Sequence, residues 1–188
     1  MVRKAENARE RFGKAAMELF HQSGYSGTTV SQIAAAAGLT ERTFFRYFAD
    51  KPEVLFWRAS EIQCEITQSI ACAGDVKPLE MVMSALEKAG IFFDENRLCL
   101  IARHEIIDSH IEFQERELMK MLEFSDAIAT ALTQRGLAPS DANMVAAIGI
   151  TFWRLALKKW LNDPSQCRFS YHLRECEQEL NTIMSGKA

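Results

Sequence analysis

"TTVSQIAAAAGLTERTFFRYFADK", Thr28 to Lys51, is the stretch that decides the architecture. Thr29-x-x-Gln32 has the form of a capping box, in which a hydroxyl and an amide each satisfy a free backbone N–H at the start of a helix. Val30, Ile33, Ala34 and Ala37 then form a short apolar stripe that Gly38 stops. The small alanines let another helix come close. Thr40 can cap a third helix, and Asp50-x-x-Glu53 with Pro52 between them can open a fourth. Gly38, Leu39 and Thr40 are therefore a tight turn between two short helices.

On a wheel of about 100° per residue with Phe44 at zero, Phe48 lies about 40° away and Tyr47 about 60° to the other side, while Arg42 and Arg46 fall near the opposite pole. Phe44 and Phe48, with Leu39, are expected to seat this helix on its neighbours. Arg42 and Arg46 make the other side basic, with Phe45 and Tyr47 at its border.

Working outward, Phe12, Ala15, Ala16, Leu19 and Phe20 give the stripe of a preceding amphipathic helix, which the glycines of "QSGYSG" end. Downstream, helical patterns span Lys51–Ala73, Pro78–Phe93, Glu95–Ser109, Ile111–Arg135, Ser140–Leu161 and Arg168–Met184, with no strand signal. The expectation is an all-α chain with an N-terminal three-helix helix-turn-helix domain over residues 1–50. A larger helical domain follows over residues 51–188, to which the resemblance given below assigns effector binding and dimerisation.

A helix of this kind fits the major groove of B-DNA. Arg42 has the fork to pair with O6 and N7 of a guanine, Phe45 can contact a thymine methyl, and Thr40 or Glu41 can meet a base edge. Thr43, Tyr47 and Lys51 are expected at phosphates, as are Thr28 and Thr29 beside the free N–H groups that open the second helix. Charge is distributed to match. The 188 residues carry a net charge of −3. Through Lys51, however, eight basic residues (Arg3, Lys4, Arg9, Arg11, Lys14, Arg42, Arg46, Lys51) face five acids (Glu6, Glu10, Glu18, Glu41, Asp50), or +3, which leaves −6 for the remainder.

The run from Arg11 to Leu55 resembles the DNA-binding domain of the TetR family of bacterial transcriptional regulators. The resemblance rests on "A-x-x-L-F-x-x-x-G-Y", "T-T-V-x-x-I-A-x-x-A-G" and "T-F-F-R-Y-F-x-x-K". It implies a dimeric regulator whose body senses a small molecule and whose two reading helices enter adjacent major grooves. By position, Thr28, Thr43, Tyr47 and Lys51 resemble the family's phosphate contacts, and Thr40, Glu41, Arg42 and Phe45 its base-reading set. Two positions depart from the pattern: Phe45 stands where many members have tyrosine, and Tyr47 where many have histidine.

The helix around "NMVAAIGITFWRLAL", Asn143 to Leu157, is apolar on nearly every side, so it must be covered on every side. Its own domain covers one side. A partner copy is expected on the other, where this helix and the last one (Leu173, Leu180, Ile183) form an intersubunit four-helix bundle, as in TetR-like proteins. For the effector pocket the candidates are Trp57, Phe92, Phe93, Met121, Phe124, Phe152 and Trp153, although such stripes are also what any helical core contains. Their Phe- and Met-rich character suits a hydrophobic effector, an acyl chain or an aromatic compound.

Other functions find little support in the sequence. His104 and Asp108 share a helix face beside Glu105, but a metal needs three or four ligands, and His21, His110 and His172 carry no motif. No GxSxG, Walker loop, Rossmann fingerprint or HExxH occurs, so neither catalysis nor a cofactor is expected. Five cysteines (Cys64, Cys72, Cys99, Cys167, Cys176), odd in number and without a CxxC pair, read as reduced thiols. The charged N-terminus and the shortness of the apolar run Ala142–Trp153 point to the cytoplasm, with no membrane partner. The rival reading is an all-α small-molecule-binding protein or enzyme whose head no longer engages DNA.

Overall fold

The computed structural model describes residues 7–186; Arg3, Lys4 and Glu6, which enter the charge count above, lie outside the described residues. Among the described residues nine α-helices run in the order α1 Ala8–Gly27, α2 Val30–Ala36, α3 Glu41–Tyr47, α4 Ala59–Ala71, α5 Pro78–Glu95, α6 Arg97–Asp108, α7 Ile111–Gln134, α8 Pro139–Leu161 and α9 Phe169–Met184, with a 3-10 turn at Pro52–Phe56 ahead of α4. Among the described residues there is no strand, and no helix is long and apolar enough to cross a membrane.

The chain divides into two compact units, one of Met1–Ser60 with Leu98–Glu117, the other of Glu61–Arg97 with Leu118–Ala188. In the first, Asn7 caps α1 by accepting from the Glu10 N–H at 2.8 Å. Gly24, at φ 72°, breaks that helix. Thr29 and Gln32 form the expected capping box on α2, and Thr40 accepts from the Thr43 N–H at 3.2 Å to start α3.

Between α2 and α3 the Leu39 N–H donates to Ala34 O and the Gly38 N–H to Ala35 O, each at 2.9 Å, with Gly38 at φ 62°. This is the paired bonding of a Schellman stop, and it needs a residue at ease in the left-handed region. The core of the unit is aromatic. Phe12, Phe44 and Phe48 are fully buried, and the Phe12 ring meets Phe44 edge-on at 5.2 Å and Phe48 at 6.1 Å. Each such burial stabilises by roughly 1.5–3 kcal/mol.

The helix expected over Lys51–Ala73 is broken at its start. Asp50 does accept from the Glu53 N–H at 2.9 Å, but the first turn is wound as 3-10, with Val54 N–H bonding to Lys51 O. Further along, side chains bond two carbonyls that a continuous helix would also use. Arg103 donates to Leu55 O at 2.7 Å and Arg9 to Trp57 O at 2.8 Å.

In the second unit α5, α8 and α9 pack against one another. Two glycines set the spacing: a Cβ on Gly149 would lie 2.6 Å from Val82 and one on Gly90 2.3 Å from the Phe169 ring. Asp94 accepts from the Trp160 indole N–H at 3.0 Å and from the Phe169 N–H at 2.8 Å, tying the end of α8 to the start of α9. Arg97 donates to Trp160 O and Asp163 O at the same joint.

Helix α8 buries Ala146, Ile150, Trp153 and Ala156 while leaving Met144, Ala147, Thr151 and Leu155 in water. Leu173, expected at a partner surface, is instead fully buried in its own unit, because it lies on the side of α9 that packs on α5 and α8. Of the residues named with it, Leu180 is half-buried and Ile183 exposed.

Candidate nucleic-acid interface

Helix α3 presents the two sides that its sequence pattern describes. Phe44 and Phe48 face inward, whereas Arg42 and Arg46 are exposed and Phe45 is 55% exposed. Thr40 and Glu41 are exposed at its N-terminus, where a carboxylate is favoured by the helix dipole. Arg42, Phe45, Thr40 and Glu41 are therefore all open on this one element. Arg46 folds back over the Tyr47 ring at 5.0 Å.

The expected phosphate residues divide. Thr29, exposed, has its side chain in the capping box, and the half-buried Thr43 hydroxyl lies 2.9 Å from that of Thr40. Tyr47 is half-buried, with its hydroxyl 3.4 Å from an Arg46 nitrogen. Thr28 differs from the surface residue expected: it is 2% exposed, and its hydroxyl donates to Gly24 O at 2.9 Å. The physical reason is the Gly24 break, which leaves helix-end carbonyls that need a donor.

Lys51 serves the same region. Its ammonium donates to Tyr25 O at 3.0 Å and Thr28 O at 2.9 Å and lies 4.0 Å above the Tyr25 ring. An ammonium has three protons, so one remains for another acceptor. Burial lowers the Lys51 pKa, and burial followed by the Asp50 charge pushes the Tyr25 hydroxyl up to about 12. Asp50 is held by Arg116 through two hydrogen bonds, at 3.0 and 2.5 Å. The bond to Asp50 raises the Arg116 pKa.

Sequence periodicity did not single out Arg9, Arg11, Arg103 or Arg116. Their partners lie far along the chain and leave no spacing to read.

The expected pocket residues divide between the two units. Trp57 belongs to the first unit, where its ring lies 2.3 Å from the place a Cβ on Gly13 would occupy. In the second unit Phe93 meets Trp153 at 5.0 Å and Phe169 at 5.1 Å, while Phe124 and Phe152 are buried and Phe92 and Met121 half-buried. A shallow groove of ≈ 360 Å³ lies along Asp126, Thr130, Thr133 and Asn143. His104 pairs with Asp108 at 3.4 Å. Among the described residues no group of three or more metal-ligating side chains forms.

Residues 14–56 match the bacterial regulatory proteins of the tetR family. Over 76 residues, 40% of this chain, the sequence is 41% identical to the HTH-type transcriptional regulator TcmR of Streptomyces glaucescens, and the match spans about a third (32%) of that protein's length. The fold is similar to that of FadR from Thermus thermophilus, a TetR-family repressor solved with lauroyl-CoA, at TM-score 0.61 and 23% identity, covering 96% of this chain and 95% of that one. It is also similar to FadR from Bacillus subtilis, solved with stearoyl-CoA, at TM-score 0.60 and 16% identity, covering 94% and 97%. Residues 14–56 of this head thus carry the likeness to the tetR family of bacterial regulatory proteins.

Proposed function

We propose that this protein is a ligand-responsive transcriptional regulator, acting as a repressor, that binds a short palindromic duplex as a homodimer and releases it when a small hydrophobic effector binds. The observation that carries the reading is the division of α3, whose phenyl side is buried under α1 while Arg42, Arg46 and Phe45 stay open. Arg42, Phe45, Thr40 and Glu41 read base edges, and Thr29, Thr43, Tyr47 and Lys51 hold phosphates. Residues 1–50 form the DNA-binding domain and residues 51–188 the effector-binding and dimerisation domain. The protein acts in the cytoplasm and carries no catalytic activity.

The exposed apolar residues Met144, Ala147 and Leu155 of α8 and Ile183 of α9 support a homodimer through the last two helices. Two heads on a palindrome need reading helices about 34–36 Å apart, which a two-fold dimer supplies.

For the effector we infer an acyl thioester. The apolar, Phe- and Met-rich body suits an acyl chain, and the two FadR proteins of similar fold hold lauroyl-CoA and stearoyl-CoA. Such a ligand releases DNA to the extent that it binds the DNA-incompetent arrangement more tightly.

The test is selection of duplexes from a random-sequence pool, followed by mobility shift with and without lauroyl-CoA. Enrichment of a palindrome that lauroyl-CoA displaces and coenzyme A alone does not is the expected result. No enrichment at low salt overturns the regulator reading; enrichment without displacement overturns the effector assignment.

A further inference from the structure

The geometry points to Arg9 and Arg11 as the positioning residues of the reading helix: neither reads DNA, and together they fix the angle at which α3 is presented. The inference rests on the DNA-binding reading above. Both residues sit on α1, on either side of Phe12, about 60° and 100° away around the helix. Phe12 supports the middle of α3, with its ring against Phe44, Tyr47 and Phe48.

Arg9 reaches the far end. One guanidinium nitrogen donates to Tyr47 O, the last residue of α3, at 3.1 Å, while the planar head lies 4.9 Å over the Phe48 ring. Arg11 reaches the near end. Its guanidinium donates to Ala37 O at 2.5 Å and approaches Gly38 O at 3.4 Å, holding the turn that leads into Thr40.

Each cation therefore occupies the negative end of a short helix, Arg9 on α3 and Arg11 on α2, where free carbonyls and the dipole both favour it. Gly38 makes room for the second contact, because a Cβ there would stand 2.9 Å from the Arg11 nitrogen. A seven-residue helix held by one ring alone would be free to tilt about it. One guanidinium at its far end and another on the turn that leads into it remove that freedom, and discrimination by Arg42 depends on its removal, since bidentate pairing tolerates little misplacement.

The experiment uses the full chain, the duplex it selects from a random pool, and a scrambled duplex. Dissociation constants are measured over a salt series at a temperature where melting curves show every variant folded. Arg11→Met and Arg9→Met keep an apolar stem and remove the donors; Arg11→Lys keeps the charge and one reach.

The expected result is binding to the selected duplex about tenfold weaker in each Met variant and to the scrambled one changed by less than about twofold, with an unchanged salt slope and partial recovery in Arg11→Lys. A slope that falls by about 0.9 with equal loss on both duplexes makes these residues phosphate ligands and overturns the inference. Variants as selective as the wild type overturn it alone, whereas a wild type that enriches no sequence overturns the DNA-binding reading and this inference with it.

Discussion

Arg42 and Phe45 stand one turn apart on the open side of α3, and Thr28 lies buried below α2 with its hydroxyl turned inward. These placements make opposite forecasts. Arg42→Ala should relax preference at one base pair by ~1–3 kcal/mol and leave the protein's melting temperature in place. Binding to a panel of single-base variants of the selected duplex, with a thermal melt alongside, checks both parts. Thr28→Val should do the reverse. It leaves the carbonyl at Gly24 without its donor at a cost of ~1–3 kcal/mol in stability, and it should leave the salt slope of DNA binding unchanged. A Thr28→Val protein that melts as the wild type does, with a slope reduced by about one phosphate, would return Thr28 to the DNA surface.

At the scale of elements, close approach and loop chemistry decide. Helices α5 and α8 meet where Gly149 faces Val82, so Gly149→Ala must push that contact open and should cost ~1–3 kcal/mol, read as the shift in a urea unfolding midpoint. The α8–α9 joint adds a pH dependence. Asp163 accepts from the Cys167 and Ser165 N–H groups at 2.8 Å each and lies 3.2 Å from His172 Nε2. The Cys167 N–H first, then the Ser165 N–H and the two side chains, hold its carboxyl at about 2, below its ordinary 3.8. A depressed carboxylate stabilises the fold above its ordinary value and loses that contribution as pH falls toward 2. The melting temperature of the wild type should therefore fall between about pH 4 and pH 2, and Asp163→Asn should flatten that part of the curve. A curve of equal steepness in the variant would show that other groups carry the acid transition.

For the whole molecule, the open apolar residues of α8 bear on assembly. Leu155→Glu sets a charge in the middle of the proposed partner surface, so light scattering should show half the wild-type mass while circular dichroism stays helical. Affinity for the palindrome should fall with it, because a single head makes half of the contacts. A Leu155→Glu protein of undiminished mass would place the subunit contact elsewhere.

Local chemistry alone set much of this protein. The helix starts at Thr29 and Thr40, the stop at Gly38 and the split of α3 into ring and guanidinium sides follow from propensity, capping and a period of 3.6, which act within a few residues and are legible in order along the chain. Only the tertiary structure decided that Trp57 packs on Gly13, that Thr28 is sealed below the surface, and that Arg9, Arg11 and Arg103 close the ends of helices and turns. A cation in water and a cation on a distant carbonyl look the same in a sequence. The difference is a long-range contact, whose partner is fixed by how the helices pack and not by any spacing the chain displays.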